Sequence, residues 1–168
     1  GKTHYAGQIC LAPDYVVVHK DQKDDFINET KNAVSDYFPD LKDNDDYTSI
    51  INQNHYDRLQ DLLNDAVEKG ATIDEINPAN EDFSQQEHFK IPPTIVSNTT
   101  DDMKIMQEEI FGPLLPVVEY DEMDEATKLI NSKDRPLGLY YFGNDQSEQD
   151  NILNKTSSGG VTVNNVIS

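Results

Sequence analysis

Cysteine is nearly absent from this 168-residue chain: Cys10 stands alone. A single thiol excludes an internal disulfide and a cysteine-based zinc site. It suits a reducing compartment, and a cytoplasmic setting is expected. Basic residues are also few, 13 Lys and Arg against 32 Asp and Glu, for a formal charge of −19. Such a surface repels phosphate backbones and anionic membranes, so no nucleic-acid partner is expected. No apolar run approaches the roughly 20 residues of a membrane span. The sequence holds neither GxxxxGK(S/T) nor GxGxxG, so no nucleotide-phosphate cradle of its own is expected. His4, His19, His55 and His88 lack metal-ligand spacing, and the aspartates at 43, 45 and 46 lack the glycine and terminal glutamate of a calcium loop. No metal is expected.

What remains is periodic, despite an apolar share of only 36%. Val16-Val17-Val18, bounded by Pro13 and Asp21, reads as a strand. Phe26, Ile27, Thr30, Ala33, Val34, Tyr37 and Phe38 then recur at helical spacing until Pro39. Residues 40–47 are acidic and read as a loop. A second helix is expected from about Asn52 to Lys69, with Tyr56, Leu59, Leu62, Leu63, Ala66 and Val67 as its apolar face and Gly70 as its stop. Residues 71–73 read as a short strand and 74–90 as a surface excursion. Strands at 93–97, 117–120, 139–142 and 160–164 alternate with helices at 122–133 and 148–153. Alternation of this kind predicts an α/β fold with a mostly parallel sheet flanked by helices.

Three segments carry candidate chemistry. The first is Gly7-Gln8-Ile9-Cys10. A lone cysteine between Ile9 and Leu11 is usually a small buried hydrophobe. The small neighbours Ala6, Gly7 and Ala12 would also let a ligand approach, and a thiolate is a strong nucleophile. The second is Gln107 to Pro113, QEEIFGP. As an acidic loop edge it would tuck Phe111 into the core. As a binding loop it would offer Glu109 to sugar hydroxyls and Phe111 to a flat ring. The third, Ser157 to Asn165, pairs glycines before a β-branched strand, either as a turn or as backbone brought against a site.

Taken together, AGQICLAPDY (6–15), IINQNHYDRLQDLL (50–63), PPTIV (92–96), MQEEIFGPLLPVVEY (106–120), LGLYYFGND (137–145) and SSGGVTVNNVI (157–167) resemble the aldehyde dehydrogenase superfamily, in its order and across nearly the whole chain. The wording is most similar to the branch of coniferyl aldehyde and fatty or aromatic aldehyde enzymes. The resemblance implies Cys10 as nucleophile, Glu109 as holder of the nicotinamide-side ribose, Phe111 as a ring at the nicotinamide, and Asn164 as a residue near the site. It implies NAD or NADP as coenzyme, a small-molecule aldehyde as substrate and a homodimeric or homotetrameric parent. Tyr5 stands where the family commonly has Asn. The family's general-base Glu, oxyanion Asn and coenzyme domain lie upstream of GQxC. Residues 1–168 are therefore expected to be a truncated catalytic domain, cut from a longer protein and inactive alone. An acylating enzyme that uses coenzyme A, a non-catalytic acidic binding domain and, more weakly, a Cys–His hydrolase are the competing readings.

Overall fold

The computed structural model describes residues 1–166. Six strands and four helices follow one another as β1 (Val16–His19), α1 (Lys23–Tyr37), α2 (Gln53–Glu68), β2 (Thr72–Glu75), β3 (Thr94–Ser97), β4 (Leu114–Tyr120), α3 (Met123–Ser132), β5 (Gly138–Tyr141), α4 (Gln146–Lys155) and β6 (Gly160–Val163). The strands form two sheets. One has the order β1-β4-β3-β2, and the other pairs β5 with β6. All pairings are parallel except β2 with β3. The expected α/β architecture is therefore present, with the last two strands in a sheet of their own.

β3 is buried at all four positions, and β4 at its first four, so both read as continuous apolar runs rather than alternations. β4 starts at Leu114, three residues before the strand expected from sequence, and runs through Pro116, which pairs with Val96. Proline removes one ladder donor there, and that missing donor masks the strand's start in the sequence. β2 reaches Glu75, into the segment expected to be an excursion.

The main cluster packs α2 on the sheet through Leu59, Leu62, Ala66, Val96 and Leu114, and it takes in Ala6 and Ile110 from two loops. A second cluster joins α1 to β1 and β4 through Ile27, Val34, Val18 and Val117. Tyr37 and Val67, expected on apolar faces, are 79% and 54% exposed, each in the last turn of its helix. The third cluster is small: Ile130, Tyr141 and Ile152 under β5 and β6.

Loop 40–47 is anchored more firmly than its acidity suggests. Leu41 and Tyr47 are fully buried. Glu81 accepts from the Leu41 and Lys42 amides, and the buried Lys90 ammonium donates to the carbonyls of Leu41 and Asn44. The Tyr47 hydroxyl donates to Ile91 O. The 74–90 segment thus supplies two of the groups that hold the loop.

Candidate active site around Cys10

Cys10 is exposed, not the buried hydrophobe that composition favours. It follows a turn in which Tyr5 (φ 48°), Ala6 (φ 52°) and Gly7 (φ 72°) are all left-handed. Two of the three carry a Cβ, so the turn is strained, and strain of this kind collects at functional loops. Ala6 is fully buried and roots the turn in the main core. Gly7 needs its missing side chain. A Cβ there would lie 2.2 Å from Gly112 O. That close approach presses the Cys10 loop directly onto the Phe111-Gly112-Pro113 loop.

Other contacts bind the same two loops. Asp14 Oδ1 accepts from the Ile110 amide at 2.9 Å. Arg58 on α2 donates to Glu108 Oε1 at 3.1 Å and to the carbonyls of Glu109 and Ile110. With Ile110 buried and the Glu109 and Ile110 carbonyls held, Glu109 is left exposed. Among the described residues no hydrogen bond engages its carboxylate. Phe111 is left-handed (φ 47°) and 40% exposed, so its ring stands at the surface instead of in the core. Burial lowers Lys2 to about 8, opposed by the nearby Asp14 charge. Tyr15 is raised by burial and then by Asp14.

The β5 end of the smaller sheet also reaches this corner. The Tyr140 hydroxyl on β5 donates to Leu11 O at 2.7 Å, and Gly1 lies against Val166 and Pro13. Asn164 (φ 52°) follows β6. Its amide pairs with the Gly143 backbone, accepting from N at 2.9 Å and donating to O at 3.0 Å. It therefore braces the turn after β5. The structure thus brings the first two sequence segments together, with Cys10, Glu109 and Phe111 exposed, while Asn164 of the third is tied to the Gly143 backbone.

Gln8, Asp14 and Arg58 are the residues that sequence reasoning left unremarked. For Arg58 a signal existed, a lone cation beside Asp57 and Asp61 on an acidic helix. Gln8 stood within the GQxC wording but nothing local marked its role, and nothing marked Asp14; their long-range partners are 41 to 96 residues away. Among the described residues no hydrogen bond pairs a histidine with Cys10, which disfavours the Cys–His arrangement. Nor is any group of three metal-ligating side chains placed to hold an ion. No described helix is long and apolar enough to cross a membrane. Two open grooves of about 430 and 410 Å³ lie elsewhere, beside Lys42 to Ser49 and between α1 and β2.

Comparison with known proteins follows the same outline. The aldehyde dehydrogenase family model matches residues 1–168. A protein of Caulobacter vibrioides named as a probable coniferyl aldehyde dehydrogenase is 59% identical over 99% of this chain and 34% of its own. The coniferyl aldehyde dehydrogenase of a Pseudomonas species is 48% identical, over 99% of this chain and 35% of its own. The substrate-bound structure of Staphylococcus aureus AldH superposes with a TM-score of 0.87 at 35% identity, over 99% of this chain and 35% of its own. The chain thus spans about a third of the length of the relatives it matches.

Proposed function

Because the chain belongs to the aldehyde dehydrogenase family, we propose that it is the catalytic-domain part of an NAD(P)-dependent enzyme oxidising an aldehyde to its acid. Coniferyl aldehyde or a similar aromatic aldehyde is the favoured substrate, on the strength of what the most similar relatives above are named for. The observation that carries the reading is the exposure of Cys10 just after a strained turn that is pressed against the loop displaying Glu109 and Phe111.

The chemistry assigned to this chain is covalent. The Cys10 thiol gives its proton to water and attacks the aldehyde carbon as thiolate, forming a C–S bond as the C=O π bond breaks and its electron pair moves to oxygen. Among the described residues nothing takes the Cys10 backbone N–H, so it is available to that oxygen. Glu109 and Phe111 fit a nicotinamide dinucleotide. An exposed carboxylate accepts from a ribose diol, and an exposed ring forms an apolar wall for a flat heterocycle. When bound, that coenzyme supplies the hydride acceptor. Loss of hydride from the carbon leaves an acyl group on Cys10. Water then cleaves this thioester, releasing the acid and returning the thiol. The base for that step is assigned to the remainder of the enzyme, so residues 1–168 alone are expected to be inactive.

The test is absorbance of reduced nicotinamide in the complete enzyme with an aromatic aldehyde, NAD and NADP tried separately. Cys10→Ser is expected to abolish turnover while coenzyme still binds. Retained turnover in that variant would falsify the reading. Glu109→Gln is expected to slow hydride transfer by about 10- to 100-fold, as loss of a positioning contact does.

A further inference from the structure

Gln8 lies two residues before the thiol, and every hydrogen-bonding group of its side chain is used. Its Oε1 accepts from the Ile51 amide at 2.9 Å. Its Nε2 donates to Ser49 O at 2.9 Å and back to Tyr5 O at 3.0 Å, inside the left-handed turn. The segment it grips is itself immobilised. Ile50 is 2% exposed, and its amide donates to Phe89 O at 3.0 Å. One residue on, Asn52 caps α2 by accepting from the His55 amide. Just before it, loop 41–47 is held by Glu81 and Lys90.

We propose that Gln8 is a positioning residue. Its carboxamide clasps the strained Tyr5–Gly7 turn to the Ser49–Ile51 segment, and so fixes where the Cys10 sulfur stands. The inference rests on the reading of Cys10 as nucleophile. The physical reason is that a turn with two left-handed non-glycine residues relaxes unless its surroundings over-determine it. The buried side of the turn is held by Ala6 and Gly7. Among the described residues, the Gln8 amide makes the only hydrogen bonds that join residues 4–8 to a distant part of the chain. A thiol released by even about 1 Å from its attack position loses rate while its intrinsic chemistry is unchanged.

Gln8→Met keeps the side chain's length and removes all three bonds. In the complete enzyme it is expected to lower kcat by about tenfold or more with a smaller change in KM. It is also expected to change the rate of Cys10 alkylation by iodoacetamide, read by mass spectrometry of the Cys10 peptide. Val34→Ala, in the cluster under α1 and remote from the turn, supplies a destabilised control that should leave alkylation unaltered. Gln8→Glu adds a second readout. Its protonated acid can both accept and donate, whereas its carboxylate faces two carbonyls and repels them. Its alkylation rate relative to the parent should therefore return toward one as pH falls through the carboxyl range. An unaltered alkylation rate in Gln8→Met, or the same change in Val34→Ala, overturns the proposal. So does a Gln8→Glu ratio that is flat with pH. Turnover that survives Cys10→Ser overturns the functional reading instead, and leaves the labelling result to decide the clasp on its own.

Discussion

The four-stranded sheet and the β5–β6 pair are built from the same kinds of residue, yet they bury them very differently. Around the larger sheet, two clusters enclose side chains on both faces, and Leu59, Ile95, Val96, Leu114 and Val117 are at 0–1% exposure. Among the described residues the cluster under the smaller sheet has just three buried members, Ile130, Tyr141 and Ile152, while Leu137, Phe142, Val161 and Val163 stand 36–62% exposed. An isolated two-stranded sheet is marginal without further packing. The candidate site divides along this line. Cys10, Glu109 and Phe111 sit on loops rooted in the large core through Ala6 and Ile110, whereas Asn164 hangs on the small sheet. The nucleophile's surroundings are thus the preorganised half, and the Asn164 side is the half with stability to spare least.

The sharpest way to break this comparison is at the seam between the two loops. Gly7→Ala sets a Cβ 2.2 Å from a backbone oxygen at φ 72°, and neither backbone can yield without moving its loop. A loss of about 3 kcal/mol or more is expected by urea denaturation. Gly70→Ala is the control. Its φ is 95°, but nothing lies within 4 Å, so only the backbone penalty of about 1–2 kcal/mol applies. Equal losses at the two glycines would show that the loops are not pressed together.

The next contrast is between the cores. Leu59 is fully buried, and its methyl groups fill the space a Gly112 side chain would take. Leu59→Ala should cost about 3–5 kcal/mol, because its neighbours on the sheet cannot collapse into the gap. Ile152→Ala, in the small cluster, should cost about 2 kcal/mol or less, since a thin core beside solvent relaxes more readily. Its effect should also be local, seen as faster amide exchange in β5 and β6 with β3 and β4 unaltered. Uniform exchange across both sheets after Ile152→Ala would mean that they unfold as one unit.

The two halves also differ in how well the sequence announces them. β3, α2 and α3 were legible because their signals are local: an apolar run, a 3.6-residue period, a stop at Gly70. Pro116 concealed the start of β4, because its cost is offset by burial between β1 and β3 and not by anything adjacent in sequence. The 74–90 segment lacks periodicity since it serves as a strap, and its meaning lies in Glu81 and Lys90 reaching 39 to 49 residues back. The site was legible in part. The wording around Cys10, Glu109 and Phe111 marked all three, and the structure brings their loops into contact. Asp14, and Gln8 apart from its bond to Tyr5 O, act through distant partners, and no spacing rule exposes such residues. The resemblance sets Asn164 near the site, whereas its pairing with the Gly143 backbone is a fact of tertiary structure alone.

The mildest probe uses two buried phenols, one in each half. Tyr47, in the large core, has its pKa pushed far up by burial, with its hydroxyl on Ile91 O. Tyr141, in the small one, is raised to about 12 by burial and then by its hydrogen bond to Glu148. Each folded pKa lies above the unfolded value near 10, so the stabilisation is complete below about pH 10. As pH rises beyond that, the unfolded chain gives up its protons while the folded chain keeps them, and stability falls by about 1.4 kcal/mol per pH unit for each such phenol. For Tyr141 the fall should level off near its folded value of about 12, whereas for Tyr47 it should continue. Urea midpoints between pH 9 and 12.5 would show this directly. Tyr141→Phe should flatten the curve only up to about pH 12, and Tyr47→Phe throughout. Matching curves for the two variants would mean that the phenols feel the same burial, and the contrast between a deep core and a thin one would have to be given up.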